Sequence, residues 1–190
     1  VAAQPQLLLD PRVKEAVAVV KRLGLSLDCW LYHPQIDEVA QLADAHPDLT
    51  IILNHVGSPI LGGPYRGRTD EVFNQWKAAI FRLSKRENVF VKLGALPIRM
   101  PSYEGDRSLP PSSQEVAAAW QPWMETCIEA FGSARSMYES NFPVQKRWCS
   151  YQVCWNAFKR ISAGASAAEK TDLFLGAAAR AYRMENVLSA

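Results

Sequence analysis

Residues 50–59 read TIILNHVGSP. An apolar, β-branched run turns polar at Asn54 and His55, passes Gly57 and stops at Pro59. Strands covered on both faces read as continuous apolar runs, so the stretch predicts a strand of a parallel sheet. It ends by presenting an amide and an imidazole side by side. Either His55 is a satisfied core histidine, or it lies at the mouth of a site.

Working outward, strands and helices alternate. Residues 11–24 (PRVKEAVAVVKRLG) place Val13, Ala16, Val17, Val20 and Leu23 at helical spacing, with Pro11 in the first turn and Gly24 as the stop. Residues 25–32 (LSLDCWLY) predict a short strand. Residues 35–49 predict a helix halted at His46, because the residue before a proline disfavours the α region. After the strand at 50–56 comes a Gly/Pro-rich loop, 57–69, then a helix at 70–88 with Asp70 as N-cap or first-turn acid. A strand at 89–96 (VFVKLGAL) leads into a long loop at 97–113. A helix at 114–132 follows, kinked or restarted at Pro122. The last strand is 136–141 (SMYESN), and two helices close the chain at 148–164 and 166–184, the second capped by Ser166.

Four strands alternating with helices predict an α/β fold with a parallel sheet. An open doubly wound sheet fits, and so does part of a (β/α)8 barrel. A whole barrel needs about 250 residues, so 190 residues would supply only its second half. Four barrel strands leave two unpaired edges and an uncovered interior face, so an isolated product is expected to be poorly soluble or to dimerise.

Hydrophobic residues make up 48% and charged ones 21%, which reads as a globular protein of one domain, 1–190. A net charge of +2 without a dense basic run argues against a nucleic-acid partner. No run approaches the roughly 18 apolar residues of a membrane span. Cys29, Cys127, Cys149 and Cys154 lack CxxC spacing, so they are expected to be reduced thiols in a cytoplasmic protein. The chain starts at Val1 with neither an initiator Met nor a signal-peptide pattern, and is expected to be a segment of something longer.

In both architectures ligands bind at the carboxyl ends of the strands. Tyr32, His33, Pro34 and Gln35 follow the first strand, and Asn54, His55 and Gly57 the second. Lys92 lies in the third; Glu139, Ser140 and Asn141 end the fourth. Turn geometry accounts for His33 beside Pro34 as well as chemistry does. Charge inside an apolar strand is costly unless paired, so Lys92 either pairs with Glu139 or faces a substrate anion. Beyond the His55 strand, Tyr65, Arg66 and Arg68 form either a carboxylate-binding loop or a solvated basic one.

Jointly, LNHVGSP, GPYRGRTDEVFNQWKAAI, NVFVKLGAL and SMYESNFPV resemble the amidohydrolase-related family of TIM-barrel hydrolases, in the branch of 2-pyrone-4,6-dicarboxylate lactonase and sugar lactonases. The resemblance covers nearly the whole chain. It implies the C-terminal half of a (β/α)8 barrel, strands five to eight. It also implies that His55 matches the sixth-strand histidine and that His33 lies near the fifth-strand one, with Gln35 facing the site there. The family's strand-eight motif commonly reads Gly-Ser-Asp-Trp-Pro, whereas this chain has Glu139-Ser140-Asn141-Phe142-Pro143. An amide has no proton-accepting site of useful basicity, so Asn141 can orient water but not deprotonate it. On an extended strand Glu139 would share Asn141's face one layer deeper, so it is not expected to take the place of the missing aspartate. No His-x-His pair occurs in the chain.

The resemblance implies hydrolysis of a lactone or related ester, on a carboxylated or sugar lactone, by attack of water. His55 and Asn141 would be the catalytic residues. Lys92, Tyr65, Arg66, Arg68, Gln35 and His33 would bind substrate. One divalent metal ion such as zinc is implied for the full-length protein, with His55 its only good ligand here, and no tight site is expected from these residues alone. Two alternatives stand: a truncated relative that binds a ligand or partner without turnover, and a metal-dependent decarboxylase of the same fold.

Overall fold

The computed structural model of the chain describes residues 6–97 and 109–184. Four strands, β1 (Leu27–Cys29), β2 (Ile51–Leu53), β3 (Val89–Leu93) and β4 (Ser136–Tyr138), form one parallel sheet in the order β1-β2-β3-β4. The registers are Leu27↔Ile51, Ile51↔Val89 and Val91↔Ser136. The helices are α1 (Pro11–Arg22), α2 (Ile36–Ala45), α3 (Thr69–Leu83), α4 (Ser113–Phe131) and α5 (Tyr151–Ile161). A closing helical segment begins as α6 (Ala167–Thr171), passes a π-turn (Asp172–Gly176) and ends as α7 (Ala177–Ala181). The loop expected at 97–113 lies largely outside the described residues.

Local chemistry sets the helix ends. Asp10 accepts from Arg12 N–H ahead of Pro11, and Gly24 turns the chain at φ +66°. Capping boxes open α4 (Ser112 with Glu115) and α6 (Ser166 with Glu169). α4 runs through Pro122 without restarting, and Asp70 falls in the first turn of α3, whose N-cap is Arg68. The strands are shorter than the sequence suggests. At the ends of β2, β3 and β4 the backbone leaves the extended region, with positive φ at His55, Ala95 and Asn141.

Sequential strand order decides between the two architectures. A doubly wound sheet reverses its strand order and puts helices on both faces, whereas a barrel winds one way. Here Cys29, Ile51, Leu53, Val89, Val91, Leu93 and Tyr138 share one face and pack in a single core with α2, α3, α4 and α5. The crossovers therefore stack on one side, as in a barrel wall. All four cysteines are free and buried.

The opposite face carries Asp28, Ile52, Phe90, Lys92 and Met137, the interior row of such a barrel. It is not left uncovered as expected: Ala177, Ala181 and Tyr182 pack on Ile52, Phe90 and Met137. Lys92 does not pair with Glu139. Its Nζ donates to Asp28 at 2.5 Å, Tyr182 Oη donates to the same carboxylate at 3.0 Å, and the ammonium lies over the Tyr182 ring. Strand alternation aims Lys92 into the interior row, and Asp28, two strands away, faces it there. Burial disfavours the ammonium, but its bonds to Asp28 and Tyr182 outweigh that and raise its pKa above 10.5.

A raised lysine pKa stabilises the fold below the unfolded-state value, and that contribution is lost as pH climbs through the folded one. Lys92→Met is expected to cost about 1–2 kcal/mol near neutral pH, between the values for exposed and buried pairs. In urea melts the gap to wild type should narrow above pH 10.5. A gap that does not change with pH would show that the pair contributes nothing through charge.

Candidate functional site at the strand ends

The His55 turn is built against the grain of the backbone. After Asn54 leaves β2 extended, His55 (φ +58°), Val56 (φ +48°), Gly57 (φ +73°) and Ser58 (φ +41°) are all left-handed. Only glycine tolerates this freely, and a β-branched residue there is an outlier. Each such residue costs on the order of 1–3 kcal/mol and persists only where its surroundings over-determine it. Here the Trp76 indole N–H donates to the Val56 carbonyl at 2.6 Å, and both side chains are fully buried. Gly57 abuts Ile36 so closely that a Cβ would come within 2.8 Å of its Cδ1.

The third anchor is Glu139, one residue beyond β4. Its Oε1 accepts the His55 backbone N–H at 3.2 Å and also lies against Nδ1 of the same imidazole in a short hydrogen bond. Both side chains are mostly enclosed, 20% exposed for His55 and 16% for Glu139. Gly94 makes room for this. A Cβ there would stand 2.2 Å from the Glu139 carbonyl oxygen and 2.6 Å from its Cγ. Among the described residues no hydrogen bond reaches His55 Nε2. The Trp30 indole, 69% exposed, meets the imidazole edge-on with 6.3 Å between ring centres.

Asn141 closes the same end of the sheet in a left-handed turn (φ +52°), and its carbonyl accepts from Gln145 N–H. Its side-chain amide makes no hydrogen bond among the described residues. The Asn54 Oδ1 is buried and equally without a partner.

The other sequence-chosen residues divide into separate groups. His33 is buried, its Nδ1 accepts from Ile60 N–H at 3.2 Å, and its backbone N–H donates to Ser58. It thus fastens the loop after β1 to the loop after β2. Tyr65 packs edge-on against its ring. Gln35, also buried, closes the 3-10 turn that begins at His33. Arg68 commits its fork to Glu71, at 2.5 and 2.7 Å, and Arg66 is exposed. Lys92 is held by Asp28, as described above. The residue that sequence reasoning undervalued is Glu139. Its signal was a carboxylate where the resembled motif commonly has glycine. Because β4 ends at Tyr138, the argument from shared strand faces does not reach it.

Among the described residues no three His, Cys, Asp or Glu side chains converge as a metal set. His55 Nε2 offers one ligand atom, and the Glu139 carboxylate is already turned to Nδ1. These residues alone therefore do not fit a divalent ion.

Burial lowers the His33 pKa below 6.5. A depressed folded-state pKa gives stability that is present above the unfolded value and lost as pH falls through the folded one. Wild-type protein should therefore lose stability between pH 7 and pH 5 relative to His33→Gln, as read by thermal melts. Parallel pH curves would show that His33 is not buried in its neutral form.

A family model described as Amidohydrolase matches residues 2–184. The uncharacterized protein y4mH of Sinorhizobium fredii is 34% identical over 181 residues, covering 95% of this chain and 54% of its own. The L-fucono-1,5-lactonase of Burkholderia multivorans is 27% identical over 176 residues, covering 92% of this chain and 57% of its own. In structure, the chain is similar to an amidohydrolase from Burkholderia multivorans solved with bound zinc. The TM-score is 0.78 at 24% identity, over 94% of this chain and 59% of that one. The chain thus spans a little more than half the length of these relatives.

Proposed function

Because the chain belongs to the amidohydrolase family, we propose that it is the carboxyl-terminal half of a lactone-hydrolysing barrel, and that His55 is its base. The observation that carries this reading is the His55 turn: a strained backbone, held by Glu139, Trp76 and the close approach of Ile36, that sets an imidazole at a strand's carboxyl end with no hydrogen bond to Nε2 among the described residues. Barrel enzymes place their chemistry there, and strain that is kept rather than relaxed concentrates at functional sites. The similarity to L-fucono-1,5-lactonase supports a sugar lactone as substrate.

Nε2 takes a proton from water, and the water oxygen attacks the lactone carbonyl. The tetrahedral intermediate collapses with cleavage of the ring C–O bond, and the imidazolium returns the proton to the departing oxygen. The Asn141 amide orients water or the lactone. Arg66, Tyr65 and Gln35 contact substrate hydroxyls or a carboxylate. Lys92, His33 and Arg68 support this region through Asp28, Ile60 and Glu71. Zinc accompanies one structural relative. In this protein a metal would need ligands from outside the described residues, and no step depends on one. No helix among the described residues is long and apolar enough to cross a membrane. The four cysteines are buried free thiols, which suit a reducing compartment, and on that ground we place the enzyme in the cytoplasm.

A second reading, a relative that binds but does not turn over, is favoured by Asn141 standing where the resembled motif has aspartate. Hydrolysis of L-fucono-1,5-lactone separates the two. We expect turnover, with kcat/KM falling about 10²–10⁴-fold in His55→Ala. Saturable binding without hydrolysis would establish the second reading instead.

A further inference from the structure

We infer that Glu139, and not Asn141, supplies the carboxylate of this site, acting as a positioning residue through His55. The inference rests on the lactonase reading above for its chemistry, but not for its geometry. One oxygen, Oε1, meets both the His55 backbone N–H and Nδ1. An oxygen already accepting from a backbone N–H is the acceptor toward Nδ1 as well, so the proton sits on Nδ1. The Nε2 lone pair is then left for the reacting water. A carboxylate behind an imidazole fixes its tautomer and ring orientation and steadies the imidazolium that forms when Nε2 takes a proton.

The surroundings hold Glu139 to this task. Gly94 lies against its carbonyl and Cγ at distances no side chain permits. Trp76 holds the histidine turn at the Val56 carbonyl. Asn141 meets neither requirement: it carries no negative charge, and its side chain has no hydrogen bond to the imidazole. The chain therefore replaces a carboxylate that receives water's proton directly with one that acts at one remove, through the ring.

The test uses the whole chain, with 15N-labelled histidine. The His55 imidazole signals are assigned by their disappearance in His55→Ala. In wild type, at a pH where the ring is neutral, we expect Nδ1 protonated and Nε2 not. In Glu139→Ala the ring should shift toward the Nε2-protonated form, and Glu139→Asp should restore part of the original tautomer. With L-fucono-1,5-lactone as probe, Glu139→Gln should lower kcat by about 10²-fold or more with little change in KM. Asn141→Ala should lower it less. An Nε2-protonated ring in wild type overturns the inference, as does a tautomer indifferent to residue 139. A Glu139→Gln rate equal to wild type, in a preparation where His55→Ala is inactive, also overturns it. If wild type hydrolyses no lactone, the functional reading fails while the tautomer still decides the placement of Glu139.

Discussion

Gly94 has no side chain because Glu139 fills the space one would need. That contact brings the end of β3 against the end of β4, and from there the Glu139 carboxylate reaches across to β2 and holds His55 by its ring and its backbone. Three of the four strands are thus joined at their carboxyl ends through a single acidic side chain. The left-handed run from His55 to Ser58 becomes tenable because Glu139, Trp76 and the close approach of Ile36 restrain it together. A carboxylate left unpaired in such an enclosed position would be costly. The pairing therefore satisfies the fold and orients the ring at once.

The sheet beneath explains why this junction faces a site. Parallel strands in sequential order carry every strand end to the same rim. With the crossover helices packed on one face, the other face becomes an interior row. There Asp28 and Lys92 neutralise each other, Tyr182 donates to the same carboxylate, and Ala177 and Ala181 cover Ile52 and Met137. The charge inside β3 is thereby consumed by structure, and the chemistry is left to the turn residues above it.

Much of this was legible in the sequence. The apolar run of residues 51–53, the proline and glycine stops and the serine caps fix the alternation of elements to within a few residues. His55 and Asn141 stand out because polar side chains end apolar strands. What the sequence hid is which partner each charge finds. Lys92 lies within one strand and Glu139 at the end of its neighbour, with opposite charge, so pairing them is reasonable in one dimension. In the folded sheet Lys92 points inward to Asp28, 64 residues away, while Glu139 has already left the strand and turns to His55, 84 residues away. Strand parity predicts faces only as far as the strand continues, and β4 stops at Tyr138. For the same reason the strands at 25–32 and 136–141 shrink to Leu27–Cys29 and Ser136–Tyr138.

The most direct measurement is a double-mutant cycle on stability at positions 55 and 139, with His55→Ala, Glu139→Ala and the double variant compared by urea unfolding. The account predicts that the two changes are strongly non-additive, with a coupling of about 1 kcal/mol or more, as for residues sharing one buried hydrogen-bonded unit. Additive losses, within about 0.3 kcal/mol, would contradict it. They would mean that the carboxylate and the imidazole do not depend on each other.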